Sequence, residues 1–107
     1  PLDLTGEWKQ VNSNSEDSYQ VATISGSSIE VNWVSPDSKS LYWAGTYEAP
    51  TEAVDSYSWD SKNDTSKTAN ALMASDAETK TFSYKDGKLS YELTALGTTM
   101  TVEMERQ

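Results

Sequence analysis

Apolar and polar residues alternate with a period of two along most of this chain, most clearly in its last third. Phe82 and Tyr84 share one face of Thr81-Phe82-Ser83-Tyr84. Leu89, Tyr91 and Leu93 continue an apolar face opposite Ser90, Glu92 and Thr94. Met100, Val102 and Met104 then alternate with Thr101, Glu103 and Glu105. A period of two is the side-chain period of a half-buried strand. Asp86-Gly87 is a two-residue hairpin turn, with glycine supplying the left-handed backbone, and Leu96-Gly97-Thr98 is a second turn. The last third is therefore an antiparallel meander of three strands.

The first half repeats the pattern less regularly. Leu4, Gly6, Trp8 and Gln10 share one face of a first strand, and a polar loop runs from Asn12 to Asp17. Tyr19–Ser25 and Ser28–Val34 form a hairpin about Gly26, with Ile29, Val31 and Trp33 on one face. After a turn at Pro36-Asp37, Leu41, Trp43, Gly45 and Tyr47 alternate up to Pro50, and Asp55, Tyr57 and Trp59 share a face of Val54–Asp60. Between Ser61 and Ala77 the period breaks. Ser61–Lys67 is a loop by composition, and Ala69, Leu72 and Met73 have the spacing of one or two helical turns, with Asp64 or Thr65 as the cap. A short helix near 66–74, an irregular lid and a short strand all fit that stretch.

About eight short strands in one domain, 1–107, must hide their edges. Closing an up-and-down antiparallel meander into a small barrel is the economical solution, and consecutive hairpins favour it over a two-sheet sandwich. The expected class is all-β.

Composition narrows the functions available. The 107 residues contain no cysteine and no histidine, which removes disulfides, thiolate metal sites, the commonest general base and the commonest zinc ligand. Net charge is −9, from 17 acidic and 8 basic residues. Nucleic acid and anionic membrane surfaces are thus poor partners. No stretch approaches the ~20 apolar residues that span a bilayer. Asp60, Asn63 and Asp64 offer oxygens to calcium, but Lys62 sits among them and the EF-hand spacing is absent, so a solvated loop is expected. Asn63-Asp64-Thr65 is a glycosylation sequon, relevant only in a eukaryotic secretory setting. Asp76 and Glu78 flank a turn. No serine sits in a nucleophile motif. No catalytic residue, metal site or cofactor is assigned.

Gly6-Glu7-Trp8 carries a resemblance. The start Leu4-Thr5-Gly6-Glu7-Trp8 resembles the first strand of calycin barrels, the lipocalins and avidins. The resemblance implies that Gly6 bends the strand and Trp8 closes one end of the barrel, with a late-chain cation packed across the indole. Arg106 is the only arginine and shares parity with the apolar face of the last strand. Antiparallel pairing of first and last strands would bring it to Trp8, and any ligand would enter at the opposite mouth. Ala44–Pro50 also looks avidin-like, but Gln10 stands where avidins place a biotin-binding asparagine, so biotin is not expected. A closer likeness is to truncated lipocalin-like domains of bacterial surface lipoproteins. That likeness implies an extracellular location and a lipid anchor upstream of Pro1.

Trp33, Trp43, Tyr47, Tyr57 and Trp59 are the candidate ligand-binding residues, because the interior of an eight-stranded barrel is either filled by side chains or holds one small ligand. The expected function is a non-catalytic surface domain that binds a small apolar or amphipathic ligand or a partner protein. A structural or adhesion module with a filled interior is the alternative. A carboxylate-based hydrolase would need two acidic side chains converging in a cleft.

Overall fold

The computed structural model describes residues 3–13, 17–69, 71, 74–75, 77–95 and 97–107. Expectations resting on Pro1, Leu72, Met73, Asp76 and Leu96 lie outside these residues. The elements are β1 (Gly6–Gln10), β2 (Tyr19–Ser25), β3 (Ser28–Ser35), β4 (Ser38–Thr46), β5 (Ser56–Lys62), α1 (Thr65–Thr68), β6 (Thr79–Lys85), β7 (Lys88–Ala95) and β8 (Thr98–Arg106). All eight strands form one antiparallel sheet in the order β4-β3-β2-β1-β8-β7-β6-β5. The class is all-β, an up-and-down meander curled into a half-barrel. No described helix is long and apolar enough to cross a membrane.

The curl follows from where the apolar faces point. Trp8, Ile24, Ile29, Phe82, Leu89 and Met104 all lie on the concave face and are buried. The β6–β7 hairpin turns through Asp86 and Gly87, both at positive φ (54° and 84°), which matches the twist of its strands. α1 is a single turn. Asp64 caps it, accepting a hydrogen bond from the Ser66 backbone N–H at 3.1 Å.

First and last strands pair as expected, Trp8 opposite Arg106 and Gln10 opposite Met104. That ladder lies at the centre of the sheet, and the edges are β4 and β5. These edges meet at one antiparallel bridge, Gly45–Asn63. Side chains stitch the remainder of this seam. The Trp59 indole donates to the Thr46 carbonyl (2.9 Å), the Trp43 indole to Ser61 Oγ (3.0 Å), and the Lys62 N–H to Thr46 Oγ1 (2.9 Å). Just beyond the bridge, the Asp64 N–H donates to the Ala44 carbonyl at 2.7 Å.

One strand departs from simple alternation. The β3–β4 register shifts between Val31, opposite Trp43, and Asn32, opposite Leu41. Tyr42 is the extra residue of a β-bulge. The bulge turns both Tyr42 and Trp43 into the core, at 5% and 0% exposure, and Leu41 is only half-buried.

Candidate functional site

One end of the curled sheet is shut. Residues 3–5 cross it, with Leu4 fully buried, and Trp8 fills the space behind them, its ring edge-on to Tyr84 at 5.9 Å. The Trp8 indole donates to the Leu4 carbonyl at 2.9 Å. Arg106 lies over the Trp8 ring, its guanidinium carbon 4.7 Å from the centroid. Its two terminal nitrogens donate to the carbonyls of Thr5 and Asp3, the latter at 2.7 Å. Cation–π attraction and a planar two-nitrogen fork thus hold the crossing segment on the indole. Gly6 is required twice here. Its φ is +126°, which other residues scarcely adopt, and a Cβ would stand 3.0 Å from Arg106 Nη1. Replacing Arg106 with lysine keeps the charge but loses the fork. Because the group is exposed, the expected cost is only about 1 kcal/mol, read as a fall of about 4–8 °C in Tm. A lysine variant melting with the parent would refute the fork.

The five candidate aromatics divide between the two ends. Tyr47 and Trp59 meet edge to face at 5.0 Å, and Tyr57 stacks on Trp59 at 6.0 Å. Tyr57 Oη also donates to the Glu48 carbonyl at 2.5 Å. With Trp43 on Ser61, these four pack the core and the β4–β5 seam. From Trp59 a file of rings continues through Phe82 (5.3 Å), Tyr91 (5.0 Å) and Tyr42 (6.3 Å) to Trp33 (5.6 Å). Trp33 alone of the five reaches the end opposite Trp8 and Arg106.

A cavity of about 180 Å³ opens there. Trp33, Leu93, Met100 and Val102 give it apolar walls, and Gln10 and Gln20 line it with amides. None of its described lining residues is charged. Gln20 is fully buried. Its backbone N–H donates to Gln10 Oε1 at 2.9 Å, and its own Oε1 accepts from the Tyr91 hydroxyl. Its Nε2 has no hydrogen-bond partner among the described residues. Neither glutamine stands out in the sequence, where Gln10 reads only as an avidin mismatch and Gln20 as a polar residue in an uneven strand.

A second cavity, about 460 Å³ and mostly polar, follows a split between β6 and β7. Those strands pair only from Ser83 opposite Ser90 to Lys85 opposite Lys88, then diverge. The Lys80 side chain lines the split. Its Nζ donates to the Glu92 carbonyl at 2.8 Å and sits 5.2, 5.7 and 5.8 Å from the ring centroids of Tyr42, Tyr91 and Trp43. Burial lowers its pKa, and the nearby Glu92 carboxylate partly opposes that.

The oxygens offered to calcium are engaged elsewhere. Asp60 accepts from Thr81 Oγ1 (2.6 Å), Asp64 caps α1, and Asn63 Oδ1 accepts from Thr68 Oγ1 (2.5 Å). Asn63 Nδ2, the atom a glycan would use, donates to the Ala77 carbonyl at 2.9 Å. No group of three or more acidic side chains that could hold a metal occurs among the described residues.

Burial also sets the alkaline limit of the fold. It pushes the Tyr42 phenol up to about 12 and the Tyr91 phenol well above the ordinary tyrosine range. An unfolded tyrosine loses its proton near pH 10. Above that pH the folded chain retains protons that the unfolded chain has lost, so stability falls as pH rises. Lys80 works in the opposite sense, but it is one partly exposed group against two buried phenols. Tm is expected to hold up to about pH 9.5 and to fall above pH 10. Absorbance at 295 nm should show the last phenolates appearing only with unfolding. All 6 tyrosines titrating together in the folded chain would contradict this.

Compared with known proteins, the chain matches no family model, no curated protein and no solved structure.

Proposed function

We propose that this chain is a non-catalytic binding domain of a bacterial surface protein, built as a calycin-like barrel. In it, side-chain stitches take the place of the last ladder. Its ligand is a small amphipathic molecule held at the mouth opposite Trp8 and Arg106. The observation that carries the reading is the position and character of the 180 Å³ cavity. It is apolar-walled with a few convergent polar groups, as small-molecule sites are, and it lies at the end that the Arg106 clamp leaves open. Its size favours a compact ligand, since pockets for drug-sized molecules run to about 300–1,000 Å³.

The four indole N–H signals of a ¹H–¹⁵N spectrum test this reading. Titration with small aromatic and alicyclic fragments should shift the Trp33 signal. The signals of Trp8, Trp43 and Trp59, whose indoles bond to Leu4, Ser61 and Thr46, should stay in place. If no fragment moves Trp33, the alternative of a structural module with a filled interior takes over. The ring file from Trp59 to Trp33 is the observation that favours it.

A further inference from the structure

We infer that Met100 is an oxidation switch on the mouth cavity: a hydroperoxide converts its thioether to the sulfoxide and so weakens ligand binding there. This rests on the reading of the mouth as a ligand site and gives that site a means of control. The chain has no cysteine, so its sulfur chemistry falls on 3 methionines, Met73, Met100 and Met104. Met73 lies outside the described residues. The other two share β8 but differ sharply in burial, Met100 at 38% exposure and Met104 at 0% within the core. Methionine oxidation follows access to the sulfur, so Met100 reacts and Met104 is protected.

Met100 is also placed to affect binding. It stands opposite Leu93 in the β7–β8 ladder, and with Leu93, Val102 and Trp33 it makes the apolar walls of the cavity. Leu93 and Val102 are buried, so Met100 carries that wall out to solvent. A peroxide reaches the side chain from outside, and a ligand filling the cavity packs against it from within.

The step needs only the hydroperoxide. The thioether sulfur attacks one peroxide oxygen, and the S–O bond forms as the O–O bond breaks. Sulfur gives up two electrons, and the peroxide is reduced by them. The proton on the attacked oxygen passes to the departing one, which leaves as water, or as an alcohol from an organic hydroperoxide. The product sets a strong acceptor into an apolar wall. An apolar ligand would strip that acceptor of water without replacing the hydrogen bond, which costs affinity. At the solvent-facing rim the sulfoxide stays hydrated while the cavity is empty, so the fold is retained. Methionine sulfoxide reductases can reverse the change, which makes it a switch and not only a lesion.

Hydrogen peroxide serves as the oxidant and ethylbenzene as the ligand probe. A cavity of about 150 Å³ holds one benzene ring, so a single ring with a short substituent suits 180 Å³. The folded chain is treated, quenched, unfolded and cleaved after glutamate. Glu103 lies between the two methionines and puts them on separate peptides for mass spectrometry. Oxygen should appear on Met100 about tenfold faster than on Met104, with the circular dichroism spectrum unchanged. After that selective oxidation, ethylbenzene followed at the Trp33 indole signal should bind about tenfold more weakly. In Met100→Leu, whatever its starting affinity, peroxide should leave binding as it was. The measurements on the unaltered chain stand even if that variant fails to fold. Oxidation of Met104 as fast as Met100 in the folded chain would overturn the selectivity. Selective oxidation with undiminished binding would overturn the switch and leave the mouth as a ligand site. A peroxide-induced loss that persists in Met100→Leu would overturn the assignment to Met100. No binding to the unoxidised chain would overturn the reading of the mouth, and the switch with it.

Discussion

Replacing Trp8 with alanine will cost about 3–5 kcal/mol, a large part of the roughly 5–15 kcal/mol that holds a domain of this size folded. The side chain is 1% exposed and sits where three separate parts of the chain converge. Leu4 covers it, Tyr84 meets it edge-on, and Arg106 lies across its face. Truncation removes the apolar contact and leaves a cavity. It also strips the Leu4 carbonyl of its donor and Arg106 of its ring. Urea unfolding followed by far-UV circular dichroism reads the loss as a lower midpoint at unchanged slope. Trp8→Phe separates the contributions. It retains most of the volume and a ring face but no indole N–H, so it should lose about 1–2 kcal/mol. An alanine variant within about 1 kcal/mol of the parent would show that the closed end does not depend on Trp8.

The second large effect is expected at Gly45, where space and not backbone conformation is limiting. A Cβ at this position would stand 2.4 Å from Ser61 Oγ, 2.6 Å from the Lys62 carbonyl oxygen and 2.6 Å from Trp43 Nε1. Two of these atoms belong to the Trp43–Ser61 hydrogen bond, and the third is backbone of the opposing strand. The methyl group can be accommodated only if β4 and β5 separate at their one bridge. Overpacking a core costs about 1–3 kcal/mol, and loss of the seam hydrogen bonds adds to that, so Gly45→Ala should cost about 3 kcal/mol or more. Hydrogen exchange gives a local readout. The Lys62 and Asp64 amides, which bond across the seam to Thr46 Oγ1 and the Ala44 carbonyl, should exchange faster than those of the β1–β8 ladder. Retention of seam protection in the variant would mean that the strands can shift without parting.

What could be read from the sequence was whatever depends on local period. Strand alternation placed all eight strands to within a few residues, and the Asp86-Gly87 turn is where its chemistry put it. The Trp8–Arg106 contact was legible too, because antiparallel pairing of the first and last strands of the chain fixes which residues come opposite. Features that depend on long-range packing were not. A bulge shifts parity by one residue, so Tyr42 occupies a position that strict alternation assigns to the outer face. The β4–β5 seam is held by side chains of strands with no continuous ladder between them, and no pairing rule indicates it. The buried Gln20 amide end that has no partner among the described residues is likewise visible only in three dimensions. Composition favoured the large aromatics as ligand residues. Four of the five pack the core and seam, which a chain this short needs for stability.

The sheet order has a kinetic consequence. β1 to β4 pair consecutively, and so do β5 to β8, so each half of the chain can organise through contacts close in sequence. The two halves join where β1 meets β8, a pairing that links Trp8 to Arg106 across nearly the whole chain. Loop closure over such a span is entropically costly and is recovered only once the contacts form. Two meanders that appear early, followed by their slower union, are the expected folding order. Substitutions in the β1–β8 ladder would then speed unfolding and leave the folding rate nearly unchanged if that union follows the rate-limiting step, or slow folding if it is that step.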